Sequence, residues 1–104
     1  MDKGTYFGGD IKPYIELEPV GNLNMDDYDF QAEYFCYSSR RVVVKKQDMR
    51  RESANKYIAS ISTKDLGTGT LKCLVTRKIP DSDFPNGMRI DVRLFVYETP
   101  IIGV

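Results

Sequence analysis

The sequence predicts an all-β fold, an antiparallel immunoglobulin-like β-sandwich of six to seven strands. Apolar and polar residues alternate along most of the chain, which is the period of a half-buried strand. No window keeps apolar residues at the spacing of an amphipathic helix, and clusters of proline, glycine and asparagine separate the alternating segments. Because each sheet would have one apolar face, a second layer is needed to cover it. A small barrel is the other architecture that fits this pattern.

The first predicted strand covers residues 11–18 and the second covers residues 29–37. Pro13 has no N–H to donate to a neighbouring strand, so the first strand is predicted to lie at a sheet edge. The side chains predicted to face the core are Ile11, Pro13, Ile15, Leu17, Phe30, Ala32, Tyr34 and Cys36.

The middle of the chain contains two further predicted strands, 41–47 and 56–62. The first includes the run 42–44 of three valines, which are β-branched and favour a strand. Between the two strands, the polar stretch 47–55 either extends the first as an exposed arm or forms an open loop. Tyr57, Ala59 and Ile61 are predicted to face inward.

The last two predicted strands, 70–80 and 89–98, are long and flank the turn-rich stretch 80–88. The first should bury Leu71, Cys73, Val75 and Ile79. The second should bury Ile90, Val92, Leu94 and Val96, with Arg89, Asp91 and Arg93 facing outward. A tail follows from residue 101.

The composition indicates a single domain over residues 1–104, with residues 1–10 as a candidate flexible arm. The chain has no histidine, the commonest general base and metal ligand, so we expect no enzymatic activity, no catalytic or metal-binding residue and no cofactor. No apolar run approaches the roughly 20 residues that span a bilayer, and the N-terminus has no apolar signal region. We therefore expect no membrane contact and a cytoplasmic location before any assembly.

Charge is distributed unevenly along the chain although it sums to zero. Residues 1–34 carry eight acids and two bases, and residues 35–64 carry eight bases and two acids. If the two segments lie on different faces, one copy could dock on another; if they are neighbours, they neutralise each other within the sheet. The candidate interaction residues are Arg40, Arg41, Lys45, Lys46, Arg50, Arg51, Asp26, Asp27 and Asp29.

Several other features have alternative interpretations. The cysteines, Cys36 and Cys73, are predicted to be buried thiols, since a disulfide would require export. The basic segment 40–51 lies near aromatic residues, a combination that suits nucleic acid, although a pI near 6.2 does not favour it. A carbohydrate- or ligand-binding sandwich is another alternative, with five candidate aromatic residues: Tyr6, Phe7, Tyr14, Phe95 and Tyr97.

A resemblance to a known module extends from Asp26 to Arg93. The segments that carry it are Asp26–Phe30, Arg41–Lys46 with Asp48 and Met49, Tyr57–Thr63, Leu66–Gly69 and Ile79–Arg89. In this order they resemble the immunoglobulin-like β-sandwich at the N-terminus of phage baseplate upper proteins and related phage and prophage tail components. The resemblance implies a structural subunit whose partners are other protein subunits, including further copies of itself. It also implies an eventual location in a virion or phage-tail-like particle.

Overall fold

The computed structural model describes residues 9–36 and 40–101, with only the backbone described at Asp65 and at residues 98–101. Predictions about residues 1–8, 37–39 and 102–104 lie outside the described residues, including most of the tail and all but the last two residues of the candidate arm 1–10. The last arm residue, Asp10, lies in the first strand. The described chain is all-β, with nine strands, three short 3-10 turns and no α-helix. No helix in this part of the chain is long and apolar enough to cross a membrane.

The strands form three antiparallel sheets. In chain order they are β1 (Asp10–Ile11), β2 (Tyr14–Glu16), β3 (Asp29–Phe35), β4 (Arg41–Lys45), β5 (Arg50–Ser53), β6 (Lys56–Ile58), β7 (Ile61–Ser62), β8 (Gly69–Pro80) and β9 (Met88–Ile101). The 3-10 turns are Met25–Asp27, Lys46–Asp48 and Thr63–Asp65. The largest sheet has the order β4–β3–β8–β9, and the smaller ones are β2–β6–β5 and β1–β7.

The predicted count of six to seven strands was too low because two predicted strands are each divided and the stretch 47–55 contributes a further strand, β5. Segment 11–18 becomes β1 and β2, and segment 56–62, which pairs with it, becomes β6 and β7. The pairing keeps one register across the break, where the Ala59 N–H donates to the Pro13 carbonyl at 2.9 Å. Both β1 and β2 lie at sheet edges, as Pro13 predicted.

The polar stretch 47–55 takes neither of its two predicted forms. The chain leaves β4 through the 3-10 turn Lys46–Asp48 and then forms β5, which pairs with β6 in a hairpin. A bulge between Arg51 and Ser53 shifts the register of this hairpin. Because all four residues of β5 are exposed, no apolar periodicity marks it as a strand.

One core cluster joins residues of the four-stranded sheet to residues of the smaller sheets. The Phe30 and Tyr57 rings, one from each side, meet edge to face at 5.1 Å between centroids. The inward faces predicted for 29–37, 56–62 and 70–80 are confirmed, since every residue named for them is buried.

The predicted orientation of the last strand was wrong. Ile90, Val92, Leu94 and Val96 are 54–56% exposed. The inner face of β9 instead carries Phe95 together with the three residues that were predicted to face outward, Arg89, Asp91 and Arg93. The register between β8 and β9 decides this, because facing residues of an antiparallel pair lie on the same side of the sheet. Phe95 lies opposite the buried Cys73, and so joins the core.

Candidate interaction surfaces

The outer face of β9 is an exposed apolar stripe. It consists of Met88, Ile90, Val92, Leu94 and Val96, which we call the β9 stripe. These residues alternate along the strand, so their side chains lie side by side on one face of the sheet. Met88 is 38% exposed and the other four are more than half exposed.

The β9 stripe is exposed because β9 is an edge strand. Its neighbour β8 places Leu74 opposite Leu94 and Thr76 opposite Val92, on the same outer face. Leu74, with strands on both sides, is only partly exposed, whereas Leu94 is 55% exposed. Within the described residues, no strand pairs with the far edge of β9. The difference between Leu74 and Leu94 therefore indicates what a neighbouring strand would cover.

The inner face of β9 is held in place by a buried ion pair. The Arg77 guanidinium, 2% exposed, lies opposite Asp91 and donates from Nε to its carboxylate at 2.6 Å. It also donates to the Tyr28 hydroxyl at 3.2 Å. A buried arginine needs such partners because desolvating an unpaired charge is costly. Arg77 therefore fixes which face of β9 turns inward.

Two further arginines, Arg89 and Arg93, flank Asp91 on the inner face of β9. Arg93, 57% exposed, approaches the Asp91 carboxylate at 3.6 Å, and Arg89 donates to Asp81 at 3.2 Å. Since Asp91 keeps 18% of its side-chain surface exposed, its carboxylate is shared between a buried and an exposed arginine.

Two members of the predicted acidic and basic segments meet within one molecule. The Arg51 guanidinium donates from Nε to both carboxylate oxygens of Asp26, at 2.9 and 3.0 Å. The Tyr57 hydroxyl donates to the same carboxylate at 2.5 Å. The hydrogen bond from Arg51, followed by that from Tyr57, lowers the pKa of Asp26 to about 2. At this point the two segments neutralise each other, which is one of the two predicted arrangements.

Lys46 forms a second connection between these segments. Its ammonium group donates to the backbone carbonyls of Met25, Asp26 and Tyr28 at 2.9, 3.1 and 2.7 Å. An ammonium group has three N–H donors, so all three have partners here. The same group lies 5.5 Å from the centre of the Phe30 ring, within cation–π range.

The other predicted interaction residues occupy varied positions. Asp27 accepts from the Asn24 N–H at 2.8 Å and so caps the 3-10 turn Met25–Asp27. Asp29, the first residue of β3, accepts from the N–H of the next residue, Phe30, at 3.0 Å. Arg41 pairs with Glu33 at 3.2 Å and covers the Phe35 ring at 4.2 Å. Arg50 approaches Glu52 at 4.0 Å, and Arg40 and Lys45 are exposed. Contacts of these nine residues with another molecule remain a prediction.

Three of the five aromatic residues proposed for ligand binding lie together. Tyr14, Phe95 and Tyr97 line a groove of about 280 Å³ between β2 and β9, together with Ile15 and Glu16. The other two, Tyr6 and Phe7, are outside the described residues. Tyr14 is 49% exposed, and its ring centre lies 4.3 Å from the Lys56 ammonium group.

Both cysteines are buried and unpaired, as predicted. Burial raises the pKa of Cys73 to about 12, and burial also raises the pKa of Cys36. Both thiols are therefore neutral at physiological pH. Among the described residues, no group of three or more cysteine, aspartate or glutamate side chains is placed to hold a metal ion.

The β9 stripe was missed as a candidate surface because its aliphatic alternation was assigned to the core. Arg77 was the signal that could have identified it, since it follows Leu71, Cys73 and Val75 on the inward face of its strand. A buried arginine there requires a carboxylate, and Asp91 supplies it only if the alternate aliphatic residues face out. No family model, curated protein or solved structure matches this chain.

Proposed function

We propose that this protein is a non-enzymatic assembly module that acts through protein–protein contacts at β9. The observation that carries the proposal is the β9 stripe, four of whose side chains are more than half exposed on a long edge strand. Natural proteins usually protect such edges with charge, proline or short length, because free backbone groups pair readily with another chain. Exposed contiguous apolar surface of this kind marks an interaction site.

The mode of contact that suits β9 is addition of a strand to the sheet edge. In this mode main-chain hydrogen bonds contribute affinity, and the side chains that alternate along the edge contribute specificity. β9 extends from Met88 to Ile101 and its far edge has no strand partner in the described residues. The edge therefore offers both the backbone groups and the apolar side chains that an added strand requires.

We further propose an immunoglobulin-like sandwich as the architecture and a phage or prophage tail or baseplate as the assembly. The shared core of the antiparallel sheets supports the first of these. The second is supported by the resemblance of the segments between Asp26 and Arg93 to phage tail modules. Tail, capsid or portal genes beside the gene for this protein would support the phage assignment, and an unrelated metabolic operon would count against it.

Photocrosslinking in the producing cell tests the assembly proposal. A benzophenone amino acid is placed at Val92 on the β9 stripe or, as a control, at Val43 on the opposite edge of the same sheet. The two positions are matched in exposure, 54% and 50%. We expect irradiation to give an adduct of defined mass from position 92 and little or none from position 43.

Mass spectrometry of the adduct then identifies the molecule that contacts β9. If position 92 gives no adduct, or gives the same pattern as position 43, the assembly proposal is wrong. An adduct within the same chain would also contradict it, because β9 would then be covered by its own polypeptide.

Ligand binding is a second candidate function, favoured by the groove of Tyr14, Phe95 and Tyr97. Aromatic faces bind the apolar faces of sugars and other planar ligands, and Glu16 provides a carboxylate at the groove. A glycan array tests this candidate with the wild-type chain, Tyr14→Ala and the distant control Val43→Ala. Binding that Tyr14→Ala alone abolishes would support it, and no binding by the wild type would eliminate a glycan ligand.

A further inference from the structure

We propose that the partner of β9 is a second copy of this chain, paired antiparallel about a two-fold axis at Val92. This inference rests on the proposed function and specifies its partner. A two-fold axis normal to the sheet keeps the outer faces of both copies on the same side, and facing residues always share a face. In each allowed register, one residue of β9 therefore faces the same residue of the second copy. The side chains determine which residue that is.

The register centred on Val92 matches the β9 stripe with itself. Val92 faces Val92, Ile90 faces Leu94, and Met88 faces Val96, so all five apolar side chains gain an apolar neighbour. In the single chain these residues are 38–56% exposed, while Leu74 on the neighbouring inner strand is only partly exposed. Pairing would bring the β9 stripe toward the environment of Leu74.

The same register is complementary in charge on the inner face of the sheet. Asp91 of each copy faces Arg93 of the other, and within one chain these residues already approach each other at 3.6 Å. The two-fold axis therefore produces a ring of two aspartates and two arginines in alternation. Arg89 faces Phe95, so that a guanidinium lies beside an aromatic ring.

Other registers lose one of these matches. An axis at Asp91 or at Arg93 places that charged residue against its own copy, and facing like charges are destabilising. An axis at Ile90 moves Leu94 and Val96 past the start of the partner strand at Met88. An axis at Leu94 places Ile90 opposite Glu98 and leaves Asp91 without a facing arginine.

Cysteine substitutions test the register directly. Facing residues of an antiparallel pair have Cα atoms about 4.5–5.5 Å apart, within the range that a disulfide spans. Val92→Cys should therefore form a disulfide-linked dimer on mild oxidation. Ile90→Cys and Leu94→Cys should each give no disulfide-linked dimer, because like residues are then about 13 Å apart, but their equimolar mixture should give a disulfide-linked heterodimer.

The wild-type chain is the control for these oxidations, because Cys36 and Cys73 are both buried. Arg93→Glu provides an independent measurement without new thiols. It should weaken dimerisation in sedimentation equilibrium at least about tenfold, since like charges then face Asp91 twice. Asp91 is left unchanged because the buried Arg77 depends on it.

A wild-type chain that stays monomeric at high micromolar concentration, with no Val92→Cys dimer, would overturn this inference. Dimers from Ile90→Cys or Leu94→Cys alone would also overturn it, because they require another register. In either case an adduct from position 92 to a different protein would leave the assembly proposal standing. Failure of the inference is thereby distinguishable from failure of the proposed function.

Discussion

β4 and β9 are the two edge strands of the same four-stranded sheet, and they differ in length and in chemistry. β4 has five residues, and its outer face carries Arg41 and Lys45 on either side of Val43. β9 has fourteen residues, and its outer face is apolar from Met88 to Val96. The short, charged edge has the features by which natural proteins discourage pairing, and the long apolar edge lacks them. The comparison indicates that one sheet can have one protected edge and one edge suited to a partner.

The largest expected difference between the two edges is in the stability that their ion pairs contribute, Arg77–Asp91 at β9 and Arg41–Glu33 at β4. We expect Asp91→Ala to lower the free energy of unfolding by about 3 kcal/mol, because it leaves the buried Arg77 guanidinium without its carboxylate. The matched change near the other edge, Glu33→Ala, removes the partly exposed partner of Arg41 and should cost less than about 1 kcal/mol, because neither group of this pair is fully buried.

Urea unfolding of both variants measures this difference. Equal losses for Asp91→Ala and Glu33→Ala would contradict the comparison, since they would imply that Arg77 does not depend on Asp91. A variant with the wild-type slope against urea but a lower midpoint would have lost stability without a change in the surface exposed on unfolding.

A smaller expected effect on the free energy of unfolding comes from the thiol of Cys73, which is buried beneath β9. Phe95 lies opposite Cys73, and burial raises the pKa of this thiol to about 12 from its ordinary 9.0. The unfolded thiol therefore ionises between these values while the folded thiol stays neutral, so stability falls as the pH rises through that range. For this group alone we expect a loss of about 1 kcal/mol by about pH 10.

Unfolding measured from neutral to alkaline pH, on the wild type and on Cys73→Ala, tests this expectation. The variant should show a shallower decline, although Tyr34 and Tyr97, whose pKa values are also raised by burial, still contribute in both proteins. Identical slopes for the two proteins would show that Cys73 does not take part.

Alternation of apolar and polar residues was sufficient to predict the all-β class, the two long C-terminal strands and most of the core. It failed at β9 because both faces of that strand contain apolar residues, and the aliphatic set was the more hydrophobic. Only the register against β8, with Arg77 opposite Asp91, determines which set faces inward. Alternation also failed at β5, because Arg50–Ser53 is exposed on both sides and pairs through its backbone.

Charge counting predicted the acidic and basic segments but could not predict how they would be arranged. The contact between Asp26 and Arg51 joins residues from different elements, and its formation depends on the hairpin that the sequence pattern missed. Tyr57 completes it from the neighbouring strand.

The three carbonyls that accept hydrogen bonds from Lys46 favour lysine over arginine at this position. An ammonium group directs its protons toward the corners of a tetrahedron, whereas the protons of a guanidinium lie in one plane. An arginine at position 46 would keep the positive charge yet could not direct three protons at the same three oxygens. Here shape rather than charge distinguishes the two basic amino acids, and we expect lysine to be retained where this loop keeps its form.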